Sequence, residues 1–391
     1  MSDKINYTDL MSRLLSVVVK SGASDLFLTA KFAPAMKLDG TMKKIGEQAL
    51  TSADVTGLIG VMHSQAQQKI FDETHESNFA FEVPEVGRFR VNVMLQKGRD
   101  AVVMRRIPTK IASIDDLGLP QVLKSVVSAK KGLVLMVGAT GSGKSTSLAA
   151  MIDYRNRQSE GHIITVEDPV EFIHEHQSSI VHQREVGMDT DSWHAALKSA
   201  LRQAPDVVLI GEIRDKETME HAISFAETGH LCLATLHATN ANQALDRIVH
   251  FFPAEQKTQL LMDLSYNLNA VISQRLVPLA VGNGRAAAIE IMLQSPFIVD
   301  LIQKGEIGNI KEAMEKSNEI GMKTFDQALF DLFNEKKITE DAAIKYADSA
   351  NNVRLNIQLK SNEAKGKDFL NSGAQSGLSL VKEEKAGSSF R

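Results

Sequence analysis

The first hundred residues alternate between helical and strand-like patterns of hydrophobic positions. Apolar residues recur at helical spacing over 10–19, which predicts an amphipathic first helix. Thr51 and Asp54 have the spacing of a capping box and predict a helix over 53–71. Short β-prone runs between turn residues predict strands over 25–29, 35–39, 78–83, 87–96 and 101–107. Together these elements predict a small α+β domain over residues 1–107.

A second pattern begins after residues 108–120, a segment with two prolines and a glycine in which the periodicity lapses. We predict that this segment is a linker. Continuous apolar runs follow from Gly132 onward, at 133–137, 163–166, 207–210 and 231–235. Because helical stretches lie between these runs, they predict buried parallel strands joined by crossover helices. Beyond Phe252, apolar positions over 260–272 predict one helical face, which completes a domain over 121–350.

The last segment, residues 351–391, is rich in Ser, Gly, Lys, Asn and Glu and has few aromatic residues. Such a composition buries too little apolar surface to offset its ordering entropy, so we predict a disordered tail. Within it, Leu378, Leu380 and Val381 form a small apolar island. A segment that docks on a partner and an inert tail are both compatible with this island.

The composition excludes several classes of protein. The 391 residues suffice for two or three domains, and 44 Lys and Arg against 48 Asp and Glu give a formal net charge of −4. No global positive field is therefore available to hold a nucleic acid or an anionic membrane. The single cysteine, Cys232, cannot form an internal disulfide, which suits a reducing compartment. No apolar run approaches the roughly 18 residues of a membrane span. Since residues 1–10 also lack the pattern of a signal peptide, we predict a cytoplasmic protein without a transmembrane segment.

A glycine-rich segment directly after the 133–137 run matches the pattern G-x-x-x-x-G-K-[ST] in full. Its residues are Gly138, Ala139, Thr140, Gly141, Ser142, Gly143, Lys144 and Ser145. The glycines let backbone N–H groups turn towards a phosphate, Lys144 supplies a positive charge, and the Ser145 hydroxyl can bind Mg²⁺. Because a strand precedes the loop and a helical stretch begins at Thr146, we predict a phosphate-binding loop for ATP and Mg²⁺.

Acidic residues follow two of the predicted strands. Glu212 comes shortly after the 207–210 run, in the position of a metal-supporting acid, and Glu167 follows the 163–166 run. Each could be a solvated strand end, but a phosphate-binding loop in the same domain favours a functional role. His237 follows the 231–235 run, and its spacing alone leaves a structural role and a nucleotide contact equally open.

Four segments in order resemble the secretion ATPase superfamily. Residues 138–145, 164–171, 201–215 and 235–237 are similar to that family's Walker A, Asp box, Walker B and His box. Further segments resemble the type IV pilus retraction ATPases, the PilT/PilU group; they are 22–26, 88–92 and 272–276. The short region before the P-loop and the lack of a four-cysteine zinc motif also favour the retraction branch. Residues 300–306 keep only part of a motif of PilT-like proteins, and with the extended tail this departure favours the accessory PilU branch.

The resemblance implies an α/β fold with a RecA-like P-loop ATPase core, a smaller N-terminal α+β (PAS-like) domain and C-terminal helices. It implies that Lys144 and Ser145 bind phosphate and Mg²⁺ and that Glu212 supports the metal. It further implies that Glu167 polarises the attacking water and that His237 senses the γ-phosphate.

Members of the family are typically ring hexamers in which the N-terminal domain supplies arginines to the nucleotide. This makes Arg90 and Arg105 the candidate arginine fingers, although the residues alone do not separate them from Arg88 and Arg106. The partners implied are further copies of the chain, a PilT-type paralogue and the pilus platform protein of the inner membrane.

The leading hypothesis is an ATP-driven motor for pilus retraction and twitching motility. A RecA-like nucleic-acid translocase is a second hypothesis, and the net charge of −4 with one Trp and four Tyr argues against it. A third is an ATP-binding regulatory subunit of a related motor, against which the intact acidic segments argue.

Overall fold

The computed structural model describes residues 5–360 apart from positions 39, 109 and 283. Its strands are β1 (Asp25–Thr29), β2 (Ala35–Leu38), β3 (Thr41–Lys44), β4 (Glu76–Val83), β5 (Gly87–Gln96), β6 (Arg99–Ile107), β7 (Gly132–Val137), β8 (Gly161–Glu167), β9 (Ser179–Glu185), β10 (Val207–Ile210), β11 (Leu231–Leu236), β12 (Leu268–Pro278) and β13 (Arg285–Leu293). Its helices are α1 (Tyr7–Ser21), α2 (Ser52–Met62), α3 (Gln65–Thr74), α4 (Val122–Val127), α5 (Lys144–Gln158), α6 (Trp193–Ala200), α7 (Lys216–Glu227), α8 (Ala241–Phe251), α9 (Lys257–Asn267), α10 (Pro296–Gln303), α11 (Ile310–Glu315), α12 (Phe325–Asn334) and α13 (Glu340–Tyr346). In the part of the chain so described, every helix is too short or too polar to cross a bilayer.

The N-terminal sheet has six antiparallel strands in the order β3-β2-β1-β6-β5-β4. Helices α1 and α2 pack on one of its faces and bury a cluster that includes Leu15, Leu58, Phe89 and Met104. Alternation along β5 and β6 sends their other side chains to the opposite face, where Arg90 lies directly across from Arg105. The sheet therefore presents a polar face with paired arginines.

The helix predicted over 53–71 is in fact two helices, α2 and α3. The capping box of Thr51 and Asp54 is present as expected. Ser64 begins a second capping box with Gln67, and His63 before it is extended, so the chain starts a new helix there. Apolar residues have helical spacing on both sides of the break, so the sequence pattern did not indicate that the chain changes direction there.

The second sheet has seven strands in the order β13-β12-β7-β11-β10-β8-β9. All neighbours are parallel except β12 and β13, which pair antiparallel. Helices α4 and α5 cover one face, and α6 to α10 cover the other, so the central strands are buried on both sides. Cys232 lies in the middle of β11 with no exposed surface.

The prediction of one helical face over 260–272 is confirmed for residues 260–267 and was wrong from Leu268 onward. Helix α9 ends at Asn267, and β12 begins at Leu268. Val271 and Ile272 instead pair with Leu135 and Met136 of β7. A short apolar run fits both a helix and a buried strand, and here the pairing of β12 with β7 on one side and β13 on the other decided the outcome.

The predicted linker, residues 108–120, is packed against the second sheet through Ile114 and Leu119, which are buried beside α4.

The predicted disordered tail was wrong for its first ten residues, because residues 350–360 are helical. Val353 and Ile357 are buried there against Phe325 and Leu329 of α12, and this burial stabilises the helix. The remainder of the tail, residues 361–391, including the apolar island, lies outside the described residues.

Candidate functional site

The candidate site lies at the carboxyl ends of four adjacent strands, in the order β7, β11, β10 and β8. Lys144 follows β7, His237 follows β11, Glu212 follows β10, and Glu167 is the last residue of β8. Parallel pairing brings these ends to one edge of the sheet. The structure therefore brings together four of the residues that the sequence singled out.

Two glycines of the loop between β7 and α5 have backbone conformations that no other residue could adopt without steric clashes. Gly138 has φ +154, and a Cβ there would meet Ser142 Oγ and, at 2.8 Å, the carbonyl oxygen of Gln274. Gly143 has φ +90, and a Cβ there would lie 2.7 Å from Nε2 of Gln274. Only glycine combines these φ values with so little space. The loop is consequently held in its curled form by close packing against β12.

Two polar groups in this loop fit a bound phosphate. Lys144 Nζ donates to the carbonyl oxygens of Gly138, at 2.8 Å, and Ala139, at 3.0 Å, so it folds back over the loop. The buried hydroxyl of Ser142 has no hydrogen-bond partner among the described residues. Partial burial lowers the pKa of the Lys144 ammonium, while the carboxylates of Glu212 and Glu171 oppose that shift. A cation, an unpaired hydroxyl and the N-terminus of α5 form an anion-binding cradle.

Glu212 forms a compact cluster with its two neighbours at the strand ends. Its Oε1 lies 3.0 Å from Nε2 of His237, and its Oε2 accepts a 2.7 Å hydrogen bond from Nε of Arg214. The bond to Glu212 raises the pKa of the Arg214 guanidinium. This network links the end of β10 to the end of β11. A ligand that binds Glu212 therefore also changes the surroundings of His237.

Glu167 is held by polar side chains of β8 and β9. Its Oε1 accepts hydrogen bonds from Thr165 Oγ1 at 2.7 Å and Gln183 Nε2 at 3.3 Å. Burial raises the pKa of the Glu167 carboxyl, and these hydrogen bonds oppose the shift. Glu167 and Ser145 line one small cavity. A carboxylate with a raised pKa in a cavity beside the phosphate loop is a suitable proton acceptor.

The paired arginines of the N-terminal sheet face the second sheet across a cleft of about 510 Å³. Arg90 and Arg105 line this cleft together with Arg106, and Thr146 of α5 lies on the other side. Arg105 Nε also donates a 2.9 Å hydrogen bond to Oδ1 of the buried Asp25. The cleft thus brings cationic side chains towards the helix that follows the phosphate loop.

Sequence reasoning missed the buried polar residues that support the site. Gln274 packs on Gly143 and accepts a hydrogen bond from Ser147 Oγ on α5. Glu290 on β13 accepts a 2.8 Å hydrogen bond from the backbone N–H of Ala241 at the start of α8. Gln274 falls within the 272–276 segment that carries part of the resemblance, but only a strand assignment for β12 would have indicated that it points at the loop.

A phosphate-binding loop on the first of several parallel strands, with acids at neighbouring strand ends, defines a P-loop nucleotide hydrolase of the RecA-like class. The family model described as type II/IV secretion system protein matches residues 2–360. The chain therefore belongs to this family of secretion ATPases and is an ATPase.

Individual relatives agree with this assignment. The chain is 52% identical over 382 residues to the type IV pilus ATPase PilU of Pseudomonas aeruginosa, covering 97% of this chain and 99% of that relative. It is 44% identical to the pilus retraction ATPase PilT of the same organism, covering 85% of this chain and 96% of PilT. A crystal structure of the pilus retraction motor PilT with bound ADP matches with a TM-score of 0.82 and 38% identity, covering 87% of this chain and 97% of that one. The expected similarity to the PilT/PilU group and the expected fold class are confirmed.

Proposed function

We propose that this chain is a subunit of an ATP-driven motor that powers or assists the retraction of type IV pili. We further propose that it is the accessory, PilU-like ATPase and acts with a PilT-type paralogue. The observation that carries the proposal is the row of Lys144, His237, Glu212 and Glu167 at neighbouring strand ends, in a chain 52% identical to PilU. The partial motif at 300–306 supports the accessory role.

Within the site, each residue has a role that its surroundings support. Lys144 and the N–H groups of the loop hold the phosphates of ATP. Ser145 and Glu212 hold Mg²⁺, which when bound neutralises charge that develops on the transferred phosphoryl group. Glu167 accepts a hydrogen bond from the attacking water and orients it. His237, which lies beside Glu212, contacts the γ-phosphate.

Arg90 and Arg105 complete the charge stabilisation from the far side of the cleft. The N-terminal sheet closes on the nucleotide when these side chains reach the phosphates, and it reopens when phosphate leaves. Such closure assembles the catalytic groups only with nucleotide present and converts hydrolysis into movement of one sheet against the other. In a ring of six copies, this movement passes from subunit to subunit.

The proposed location follows from the proposed partners. The motor works in the cytoplasm at the base of the pilus, on the inner-membrane platform protein and beside the PilT-type ring. The net charge of −4 favours a protein platform over a nucleic acid as the object on which force is exerted.

The decisive experiment has a biochemical and a cellular arm. Purified full-length protein should hydrolyse ATP with Mg²⁺, and Glu167→Gln should lower kcat by roughly 100-fold or more. Glu160→Gln, at an exposed glutamate just before β8, is the matched control and should keep wild-type kcat. Near wild-type turnover in folded Glu167→Gln would remove Glu167 from the mechanism.

In cells, retraction is measured with this protein alone, with the PilT-type paralogue alone, and with both. We expect no retraction with this protein alone and stronger retraction with both than with the paralogue alone. Retraction by this protein alone would make it an independent motor, and no turnover under any condition would make it a regulatory subunit. Strong stimulation of turnover by single-stranded DNA would favour a translocase instead.

A further inference from the structure

We propose that Glu290 is a positioning residue for His237: it anchors the first turn of α8 and so fixes the short segment that joins His237 to that helix. The inference rests on the proposed function, because it takes His237 as the residue that contacts the γ-phosphate. Glu290 itself lies on β13 and touches neither the loop nor the acids described above.

The carboxylate of Glu290 is buried, and one of its oxygens accepts two hydrogen bonds. The side chain is 2% exposed. Its Oε1 accepts a 2.8 Å hydrogen bond from the N–H of Ala241 and a 2.9 Å hydrogen bond from Oγ of Ser273. Ala241 is the first residue of α8, where backbone N–H groups have no partner within the helix and a negative charge is favourable. Glu290 therefore connects a helix end to the sheet.

The hydrogen bonds of Glu290 lie in register with the end of β7, where the phosphate-binding loop begins. Ser273 of β12 pairs with Glu290 on one side and with Val137 on the other, and Val137 immediately precedes Gly138. The hydrogen bonds of Glu290 thus fix the start of α8 relative to the strand end from which the loop begins. A shift of α8 would change the distance between His237 and the loop.

The segment between His237 and Ala241 is too short to absorb such a shift. It contains only residues 238–240, and a second contact holds its middle, because Nη2 of Arg275 donates to the carbonyl oxygen of Thr239 at 3.3 Å. Displacement of Ala241 therefore strains this segment and changes the contact between Nε2 of His237 and Oε1 of Glu212, which are 3.0 Å apart.

The cost of burying this carboxylate argues for a specific role. Burial raises the pKa of Glu290 to about 7, with Asp348 adding to the rise and Arg275 opposing it. An apolar residue would fill this position on β13 without that cost. An apolar residue could not accept the hydrogen bonds from Ser273 Oγ and from the Ala241 N–H, and the second of these joins β13 to α8.

The test measures kcat and KM for ATP on purified full-length variants. Glu290→Met keeps the length of the side chain and removes the acceptor, whereas Glu290→Gln keeps an acceptor oxygen. We expect Glu290→Met to lower kcat about 10-fold with little change in KM, and Glu290→Gln to stay within about twofold of wild type. Ser179→Ala, which removes a buried hydrogen bond at the opposite end of the sheet, is the control and should keep wild-type kcat.

The double variant with His237→Ala separates positioning from general support of the fold. If Glu290 acts through His237, adding Glu290→Met to His237→Ala lowers kcat no further. An equal additional loss in the double variant would overturn the inference, as would wild-type kcat in Glu290→Met or an equally low kcat in Glu290→Gln. If Glu290→Met does not fold, Glu290→Asp replaces it, since a carboxylate shorter by one methylene cannot reach Ala241. Wild-type kcat in His237→Ala alone would instead overturn the proposed role of His237.

Discussion

Oγ of Ser147 on α5 donates a 2.7 Å hydrogen bond to Oε1 of Gln274 on β12, and both side chains are buried. The amide of Gln274 also lies against Gly143, so one side chain joins the sheet to both the phosphate loop and its helix. The shape of the loop therefore depends on a strand more than a hundred residues further along the chain.

Replacing Gln274 with Ala should destabilise the protein and weaken nucleotide binding together. The change leaves the Ser147 hydroxyl buried without a partner, which costs about 2 kcal/mol of unfolding free energy. It also opens space behind Gly143, so the loop loses its fixed form. Thermal unfolding and ADP binding measure the two effects. Gln259→Ala, at an exposed glutamine bonded to Asp263, is the control and should change neither; equal losses in both variants would contradict the prediction.

The stability of the protein should depend on pH through Glu290. Its pKa of about 7 in the folded protein lies above the ordinary value of 4.5 for a glutamate, so the folded state holds its proton longer than the unfolded state as pH rises. The unfolded state therefore loses the proton first, and stability falls between about pH 4.5 and 7. Relative to Glu290→Gln, wild type should lose about 3 kcal/mol over this range. Unfolding of both proteins at pH 5 and pH 8 checks this, and a constant difference between them would contradict it.

Loss of Arg105 should reduce turnover, and it also removes the cationic partner of the buried Asp25 carboxylate, so the folded state of the variant has to be verified. If Arg105 stabilises charge on the transferred phosphoryl group, Arg105→Ala should lower kcat by roughly 100-fold or more and leave ADP binding largely unchanged. Arg99→Ala, at an exposed position on the same strand β6, is the control and should retain activity. A similar kcat in both variants would exclude Arg105 as an arginine finger.

The helix over residues 350–360 should contribute to stability through one face only. Val353 and Ile357 are buried, whereas Leu355 and Leu359 are more than half exposed. We expect Ile357→Ala to lower the unfolding free energy by about 2 kcal/mol or more. The change Leu359→Ala should have an effect within about 0.5 kcal/mol. Chemical denaturation of the two variants compares them directly, and a similar loss in both would argue against packing of this helix.

The sequence was sufficient to predict most of the features that depend on short stretches of residues. The capping box at Thr51, the central parallel strands and the loop over 138–145 all depend on short patterns with a direct physical cause. The parallel sheet then explains why Glu167, Glu212 and His237 come together, since the carboxyl ends of its strands share one edge.

What the sequence did not reveal depends on contacts between distant segments. Leu268 begins a strand because β7 and β13 flank it, not because its own residues exclude a helix. The roles of Gln274 and Glu290 require knowledge of which strand lies beside the loop. The helix over 350–360 forms against α12, so its polar composition was a poor guide.

The position of Cys232 offers a practical advantage for measuring motion in this protein. It is the only cysteine in the chain, it lies fully buried in β11, and burial raises the pKa of its thiol. Alkylating reagents react with exposed thiolates, so the native protein should resist labelling while folded. Cysteines introduced at exposed positions such as Lys43 on β3 and Lys198 on α6 would then accept fluorescent dyes selectively. Energy transfer between such dyes would follow the distance between the two sheets through each cycle of hydrolysis while the native Cys232 stays in place.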